Sequence, residues 1–469
     1  MKSIAYSLVL WIVGTWCSVQ PVQAQLYKDP SRPAEERAAN LLQRMTLEEK
    51  IAQIRHIHSW DIFDGQRLDT KRLRSFVGDR CWGFVEGFPL TGESCHDNMN
   101  RIQRYMVEHT RLGIPIFTVA EALHGSVHEG SSIFPQNIAL ASTFNPRLAY
   151  RRAEAIAREL HYEGIRQILA PCIDVVRDLR WGRVEETFGE DPFLNSVFAC
   201  EEVRGYLDNG ISPMLKHFGA HGNPTGGLNL ASVNCGVGEL HDVYLLPFRK
   251  VITSLPVQAV MSTYNSWNRV PNSSSHYLLT DVLRDMWGFK GYVYSDWGAI
   301  DMLHTFHRTA SSKAEAAFQA LSAGLDVEAS SDCYPKLAEL VKKGNIDIRL
   351  IDEAVRRVLL AKFRAGLFED PYGERYAASA QLHPADNKSL AREIAEESAV
   401  LLKNDNQLLP LSLPRLGSLA VIGPNADQVQ FGDYSWSRSN TDGITPLSAI
   451  RRMAEEHGVE VRYARGCDL

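Results

Sequence analysis

Asp296 lies in the run Gly291-Tyr-Val-Tyr-Ser-Asp-Trp297, where an apolar, strand-like segment delivers a carboxylate and then an indole at one point. A carboxylate so placed can act as a nucleophile, and the Trp297 ring can support the apolar face of a sugar. The local alternative is a helix cap, because Gly298-Ala-Ile-Asp-Met-Leu follows and Asp is a favoured N-cap residue. The arrangement recurs along the chain: apolar runs end at Glu121, Asp174, Lys216 with His217, Tyr264, Asp296 with Trp297, and Glu328. Each has a plain structural reading too. Glu121 and Asp174 could pair with arginines, and Lys216-His217 could be a strand-end salt bridge or a satisfied core histidine. Together they suit a neutral polyhydroxylated ligand, with carboxylates accepting from hydroxyls and Lys and His donating to them.

To act together, these residues must leave one end of one scaffold. Short, almost continuously apolar runs at 81–86, 114–120, 167–173, 212–217, 258–264, 290–295 and 324–328 read as parallel strands buried on both faces. Helical patterns lie between them at 145–160, opened by Asn145-Pro146, and at 237–252, 311–323 and 346–364. This alternation predicts an α/β fold, a (β/α)8 TIM-like barrel whose working residues sit at the carboxyl ends of its strands. A doubly wound open sheet is the alternative, but no glycine fingerprint opens a helix for a nucleotide. We expect a signal peptide over 1–24, the barrel over 25–375, a linker over 376–395 and an incomplete α/β sandwich over 396–469. The last would contain a helix at 390–400, a short strand at Leu401-Leu402 and a buried strand at Leu419-Ala-Val-Ile-Gly423.

Hydrophobic residues make up 45% and charged residues 23% of the 469-residue chain, and the formal net charge is -6. That balance argues against nucleic acid or an anionic membrane surface as partner. Lys2, the apolar centre Leu8-Val-Leu-Trp-Ile-Val13 and the small-residue site Val22-Gln23-Ala24 read as an export signal. The apolar stretch is shorter than the roughly 20 residues a spanning helix needs. We therefore expect an exported protein, periplasmic or secreted, with no membrane contact after cleavage. The seven cysteines beyond the signal have no CxxC spacing and read mainly as buried small apolar residues.

Several segments, in order, resemble glycoside hydrolase family 3. They are Gly113-Ile-Pro-Ile-Phe-Thr-Val-Ala-Glu-Ala-Leu-His-Gly125, Phe134-Pro-Gln-Asn-Ile-Ala-Leu-Ala-Ser-Thr-Phe144, the charged loop 181–192, Lys216-His-Phe218, Val260-Met-Ser-Thr-Tyr-Asn265 and Tyr294-Ser-Asp-Trp297. Leu401-Leu-Lys-Asn404 and Val421-Ile-Gly-Pro-Asn425 resemble the opening of that family's second domain. The resemblance implies a two-step retaining exo-β-glycosidase of oligosaccharides with Asp296 as nucleophile, using no metal and no cofactor. Arg183, Lys216 and His217 would hold the sugar hydroxyls. Tyr264 would sit beside the nucleophile, Trp297 would floor the pocket, and Glu121 would take the hydroxyl farthest from the reacting carbon. In such enzymes an acid about 5–5.5 Å from the nucleophile protonates the leaving oxygen.

Two departures stand out. The acid/base is expected on a second-domain loop beyond Leu469. The Asp–His dyad of the β-N-acetylglucosaminidase branch is broken here, since His221 is followed by Asn223 where that Asp would be. Glu121 replaces the Asp that the glucosidase pattern implies, and its extra methylene tilts the first subsite from glucose toward xylose. Two rivals come from other classes. A metal-dependent barrel hydrolase could use His56-Ile-His58, Lys216 and Asp296, but Thr46–Ile54 reads as a helix rather than a strand. His124-x-x-x-His128 and His217-x-x-x-His221 have ligand-like spacing, but glycine interrupts both. The other rival is a sugar-binding protein without turnover. Homodimerisation is left open.

Overall fold

Seven parallel strands surround a filled interior, hydrogen-bonded in chain order: β1 (His56–Ile57), β2 (Phe84–Glu86), β3 (Phe117–Ala120), β4 (Gln167–Ile168), β5 (Ser212–Phe218), β6 (Ala259–Ser262) and β7 (Tyr292–Tyr294). This computed structural model describes residues 25–87 and 90–468, so the expected leader lies outside the described residues. Every residue of the seven strands is buried, as strands covered on both faces require. Aromatic rings fill the interior, with Phe84 centred 5.7 Å from Phe117 and 5.5 Å from Tyr292. The ring closes through residues 327 and 328. Val327 bridges Tyr294 and Glu328 bridges Arg55, both in parallel sense. Ser295 N donates to Val327 O and Glu328 N to Ile54 O, each at 2.9 Å.

The strand expected at 324–328, which takes the eighth place in the ring, is thus reduced to two bridges. The strand expected at 167–173 stops at Ile168. Pro171 has no N–H to continue a regular ladder, although single bonds carry on from Leu169 N to Ala120 O at 3.0 Å and from Met214 N to Ala170 O at 2.9 Å before Cys172 bridges Lys216. The segment Thr46–Ile54 is the helix its pattern implies, opened by a Thr46–Glu49 capping box and running to Gln53; what the pattern missed is that His56, directly after it, opens the strand β1.

Helix α1 (Pro146–Glu163) begins with Pro at its first turn and ends at Gly164 in the left-handed region, the preferred residues at each place. It packs against α2 (Pro192–Asp208). Gly205 permits this approach, because a Cβ there would meet Tyr150 O at 2.7 Å and the Ala153 Cβ at 2.8 Å. The helix expected over 237–252 is divided. Wide turns over Leu240–Tyr244 precede α3 (Leu246–Ser254), and Pro247 cannot donate back to the preceding turn. α4 (Ala299–Thr305) and α5 (Lys313–Ala323) lie between β7 and its partner segment, and α6 (Ile348–Arg364) follows that segment.

Beyond the barrel, α7 (Ala385–Glu397) is tied to it by Arg151, which donates to both Glu393 oxygens at 2.5 and 2.8 Å. Leu401-Leu402 forms no strand, and Leu402 is 92% exposed. β8 (Ser418–Ile422) and β9 (Glu460–Ala464) pair in parallel around the crossover helix α8 (Pro446–Glu455). No helix among the described residues is long and apolar enough to cross a membrane. All seven described cysteines are free, and Cys81, Cys95, Cys172 and Cys333 are buried.

Candidate functional site

The carboxyl ends of the strands converge on a cavity of about 510 Å3 lined by Glu121, Lys216, His217, Tyr264, Asp296 and Trp297. Arg183 stands behind this wall and reaches it through His217. Glu328 does not enter. Its Oε1 accepts from Cys333 N at 2.6 Å and Tyr334 N at 2.9 Å, and its Oε2 faces Arg55 at 3.4 Å.

Asp296 follows β7 and is 3% exposed. It is not the helix cap that its context allowed. Gly298 occupies that place in the left-handed region, and the Asp296 side chain turns to its own neighbour, with Oδ1 accepting from Trp297 N at 2.7 Å. Oδ2 accepts no hydrogen bond and lies 3.7 Å from His217 Nε2. One oxygen is thereby anchored and the other left unpaired beside the cavity. Burial raises the Asp296 carboxyl above its ordinary value, against the opposing pull of Arg183, the Tyr264 hydroxyl and Lys216.

Lys216 and His217 lie on β5, where the ladder with β6 shifts register between Leu215 and Phe218 and the Lys216–His217 peptide is cis. Both side chains reach the cavity, although successive residues of a regular strand face opposite ways. Lys216 Nζ donates to Glu121 Oε2 at 2.8 Å. Burial raises Glu121 even so, with the Lys216 charge opposing. Asp174 Oδ2 accepts from both His217 N at 3.1 Å and His217 Nδ1 at 2.7 Å. Arg183 Nη2 donates to His217 Nε2 at 3.0 Å. A ring that donates at Nδ1 and accepts at Nε2 is neutral. Burial and the Arg183 charge agree, pushing His217 well below its ordinary value.

Sequence reasoning placed Asp174 at a strand end without giving it this task, and passed over Glu186 inside the charged loop. Arg183 donates to both Glu186 oxygens at 2.7 and 2.8 Å, and Glu186 is 1% exposed. Breaking such a buried pair costs about 3–5 kcal/mol, so the fork holds Arg183 against His217. Among the described residues, His221 has no carboxylate partner. Its ring meets Thr263 Oγ1 at 3.1 Å and Arg183 Nη1 at 3.4 Å, while Asn223 donates to the Tyr244 hydroxyl at 2.7 Å.

Tyr434, Ser435 and Arg438 also line the cavity, from the segment following β8. Lys216 Nζ sits 4.8 Å from the Tyr434 ring centre, and Arg183 Nη2 donates to its hydroxyl at 3.4 Å. Several hydrogen bonds dock that segment on the barrel mouth, among them His124 Nε2 with Asp433 O at 2.8 Å. Gln136 Nε2 donates to Asp433 O at 2.9 Å, Asp433 N to Glu185 Oε1 at 2.8 Å and Trp436 Nε1 to Ser131 O at 2.7 Å. The aromatic richness of Tyr434-Ser-Trp436 was the only local signal of this role.

A model of the glycosyl hydrolase family 3 N-terminal domain matches residues 46–361, and one of the family's C-terminal domain matches residues 399–469. The periplasmic β-glucosidase of Salmonella typhimurium is 33% identical over 479 residues, covering 97% of this chain and 60% of its own length. A β-xylosidase of Formosa agariphila is 34% identical over 388 residues, covering 76% of this chain and 53% of its own. The crystal structure of a β-glucosidase from Listeria innocua in complex with glucose superposes with a TM-score of 0.81 at 32% identity, over 93% of this chain and 61% of that one. A β-glucosidase structure from Erythrobacter marinus gives 0.87 at 36% identity, over 95% and 60%. The chain thus spans between about half and three fifths of the length of these relatives.

Proposed function

The chain belongs to glycosyl hydrolase family 3, and from that premise we propose that its cavity is the first sugar subsite of a retaining exo-β-glycosidase. It would act on terminal β-D-xylosyl or β-D-glucosyl residues of plant-type oligosaccharides, in an exported protein. The observation that carries this reading is Asp296: buried, anchored through one oxygen, with the other unpaired beside cations.

Asp296 Oδ2 would form a bond to the anomeric carbon as the bond to the leaving oxygen breaks, its electron pair departing with the aglycone. Neutral His217, held by Asp174 and Arg183, would present its ring edge to the sugar hydroxyls. Lys216 and Glu121 would take donor and acceptor places farther from the reacting carbon. Trp297 would floor the ring, and Tyr264 would flank the nucleophile. The xylose tilt rests on Glu121, whose reach to Lys216 narrows the space for a C5 substituent. His221, without a carboxylate to polarise it, argues against the β-N-acetylglucosaminidase chemistry.

An activated leaving group needs no protonation, so 2,4-dinitrophenyl β-xyloside and β-glucoside isolate the nucleophilic step. We expect a burst of about one dinitrophenolate per chain and labelling of Asp296 by the matching 2-fluoro sugar. Asp296→Asn should abolish both. Equal labelling of that variant would overturn the nucleophile, and no burst from either substrate would overturn the glycosidase reading.

A further inference from the structure

Beside the sugar cavity, three side chains from β1, β2 and the turn after β1 direct polar atoms at one another. One ligand atom each from His56, His58 and Glu86 lies within 4.8 Å of the other two. The residues are 5, 8 and 5% exposed. His56 Nε2, His58 Nδ1 and Glu86 Oε1 make no hydrogen bond, and all three atoms are closed to solvent. His58 Nδ1 and Glu86 Oε1 meet each other only as a long ion pair, and among the described residues His56 Nε2 has no partner; buried polar groups are rarely left so poorly satisfied, and three at one point call for a shared partner. Glu86 also lines the sugar cavity, but the three atoms are closed to solvent, so a sugar held there does not reach them.

The geometry suits a small cation. His58 Nδ1 and Glu86 Oε1 are 3.5 Å apart. Two ligands about 2.1 Å from a zinc ion and that far apart subtend close to the tetrahedral angle. The outer shell is also in place. His56 Nδ1 is hydrogen-bonded to the Tyr294 hydroxyl, which fixes the ring and leaves Nε2 as the ligating atom. His58 N donates to Asp61 Oδ2 at 3.1 Å, and the Trp60 ring stacks on the His58 ring at 4.2 Å.

We propose that His56, His58 and Glu86 bind a divalent transition-metal ion, with Zn2+ as the fitting species. Two imidazoles and one carboxylate leave a fourth coordination position open. The Trp297 ring lies 5.0 Å from the His58 ring and 5.7 Å from the His56 ring. The ion therefore braces the wall behind the sugar platform and takes no part in the chemistry at Asp296.

The test uses the full chain, stripped with chelator and titrated with Zn2+ by equilibrium dialysis and with Co2+ by visible absorption. One ion per chain is expected, with the intense visible bands of four-coordinate Co2+ and a raised Tm on Zn2+ addition. His58→Ala and Glu86→Gln should each weaken Zn2+ binding about 100-fold or more, and Cys467→Ser should bind as wild type does. Glu86→Gln is nearly isosteric and serves if His58→Ala does not fold. Absence of stoichiometric Zn2+ binding by wild type, or undiminished binding by Glu86→Gln, overturns the site. Loss of binding in Cys467→Ser assigns the ion to the cysteine and overturns it equally.

Discussion

Replacing Asp174 with Asn keeps the side chain's shape and removes its titration. Asp174 is 2% exposed, and burial raises its carboxyl from 3.8 to about 7, against the Arg183 charge and the Cys172 thiol that donates to it. An acid with a higher pKa folded than unfolded keeps its proton longer in the folded state. Its contribution to stability is therefore lost as pH rises from about 3.8, where the unfolded chain ionises, to about 7, where the folded chain follows. At about 1.36 kcal/mol per pH unit, the loss approaches roughly 4 kcal/mol. An amide at this position does not titrate and has no such loss, so Asp174→Asn should gain on wild type by that order between pH 4 and pH 8. The gain should come with a functional cost. Asp174 accepts two hydrogen bonds from His217, and a neutral acceptor holds each about 1 kcal/mol less tightly. Affinity for a xylo- or gluco-configured iminosugar should fall about 10-fold or more at pH 8. Denaturant unfolding at pH 4.5, 6 and 8, with calorimetric titration of the iminosugar, measures both. A stability difference that does not change with pH would refute the reasoning.

Because Asp296 must be ionised to attack, activity should be lost as pH falls through its raised pKa. Lys216→Met removes a charge that lowers that pKa, so the acid limb of kcat/KM for dinitrophenyl xyloside should move to higher pH; an unmoved limb counts against the coupling. Glu121→Asp withdraws the carboxylate from Lys216 by about one bond length, roughly 1.5 Å, and should shift the xyloside-to-glucoside ratio of kcat/KM about 10-fold toward glucose. An unchanged ratio removes Glu121 as the selector. Gly205→Val would drive a side chain into the Tyr150 carbonyl and should destabilise by about 1–3 kcal/mol, seen as a lowered Tm; an unchanged Tm would mean that α1 and α2 separate freely.

The barrel was legible because its strands are buried on both faces, and such strands are apolar runs ending at polar residues. The pattern failed where runs were short or interrupted. His56–Ile57 is only two residues long and carries a polar histidine. Pro171 cut short the ladder of β4, and the segment at 327–328 holds its place by single bridges. Pro247 could have warned against a continuous helix over 237–252, since its missing N–H is a local fact.

For the site, the sequence by itself determined which chemical groups stand at the strand ends: Glu121, Lys216, His217, Tyr264, Asp296 and Trp297, each at the close of an apolar run. Only the tertiary structure decided their states. The neutrality of His217 depends on Asp174 and Arg183 meeting its two nitrogens, and the raised Asp296 carboxyl depends on burial; neither is a property of neighbouring residues in the chain. Tyr434 approaches Arg183 across 251 positions, and the His56–His58–Glu86 cluster exists because β1 and β2 pair in one register. Local periodicity records which face of an element is buried. It does not record which distant side chain will be found there, because that is settled by packing.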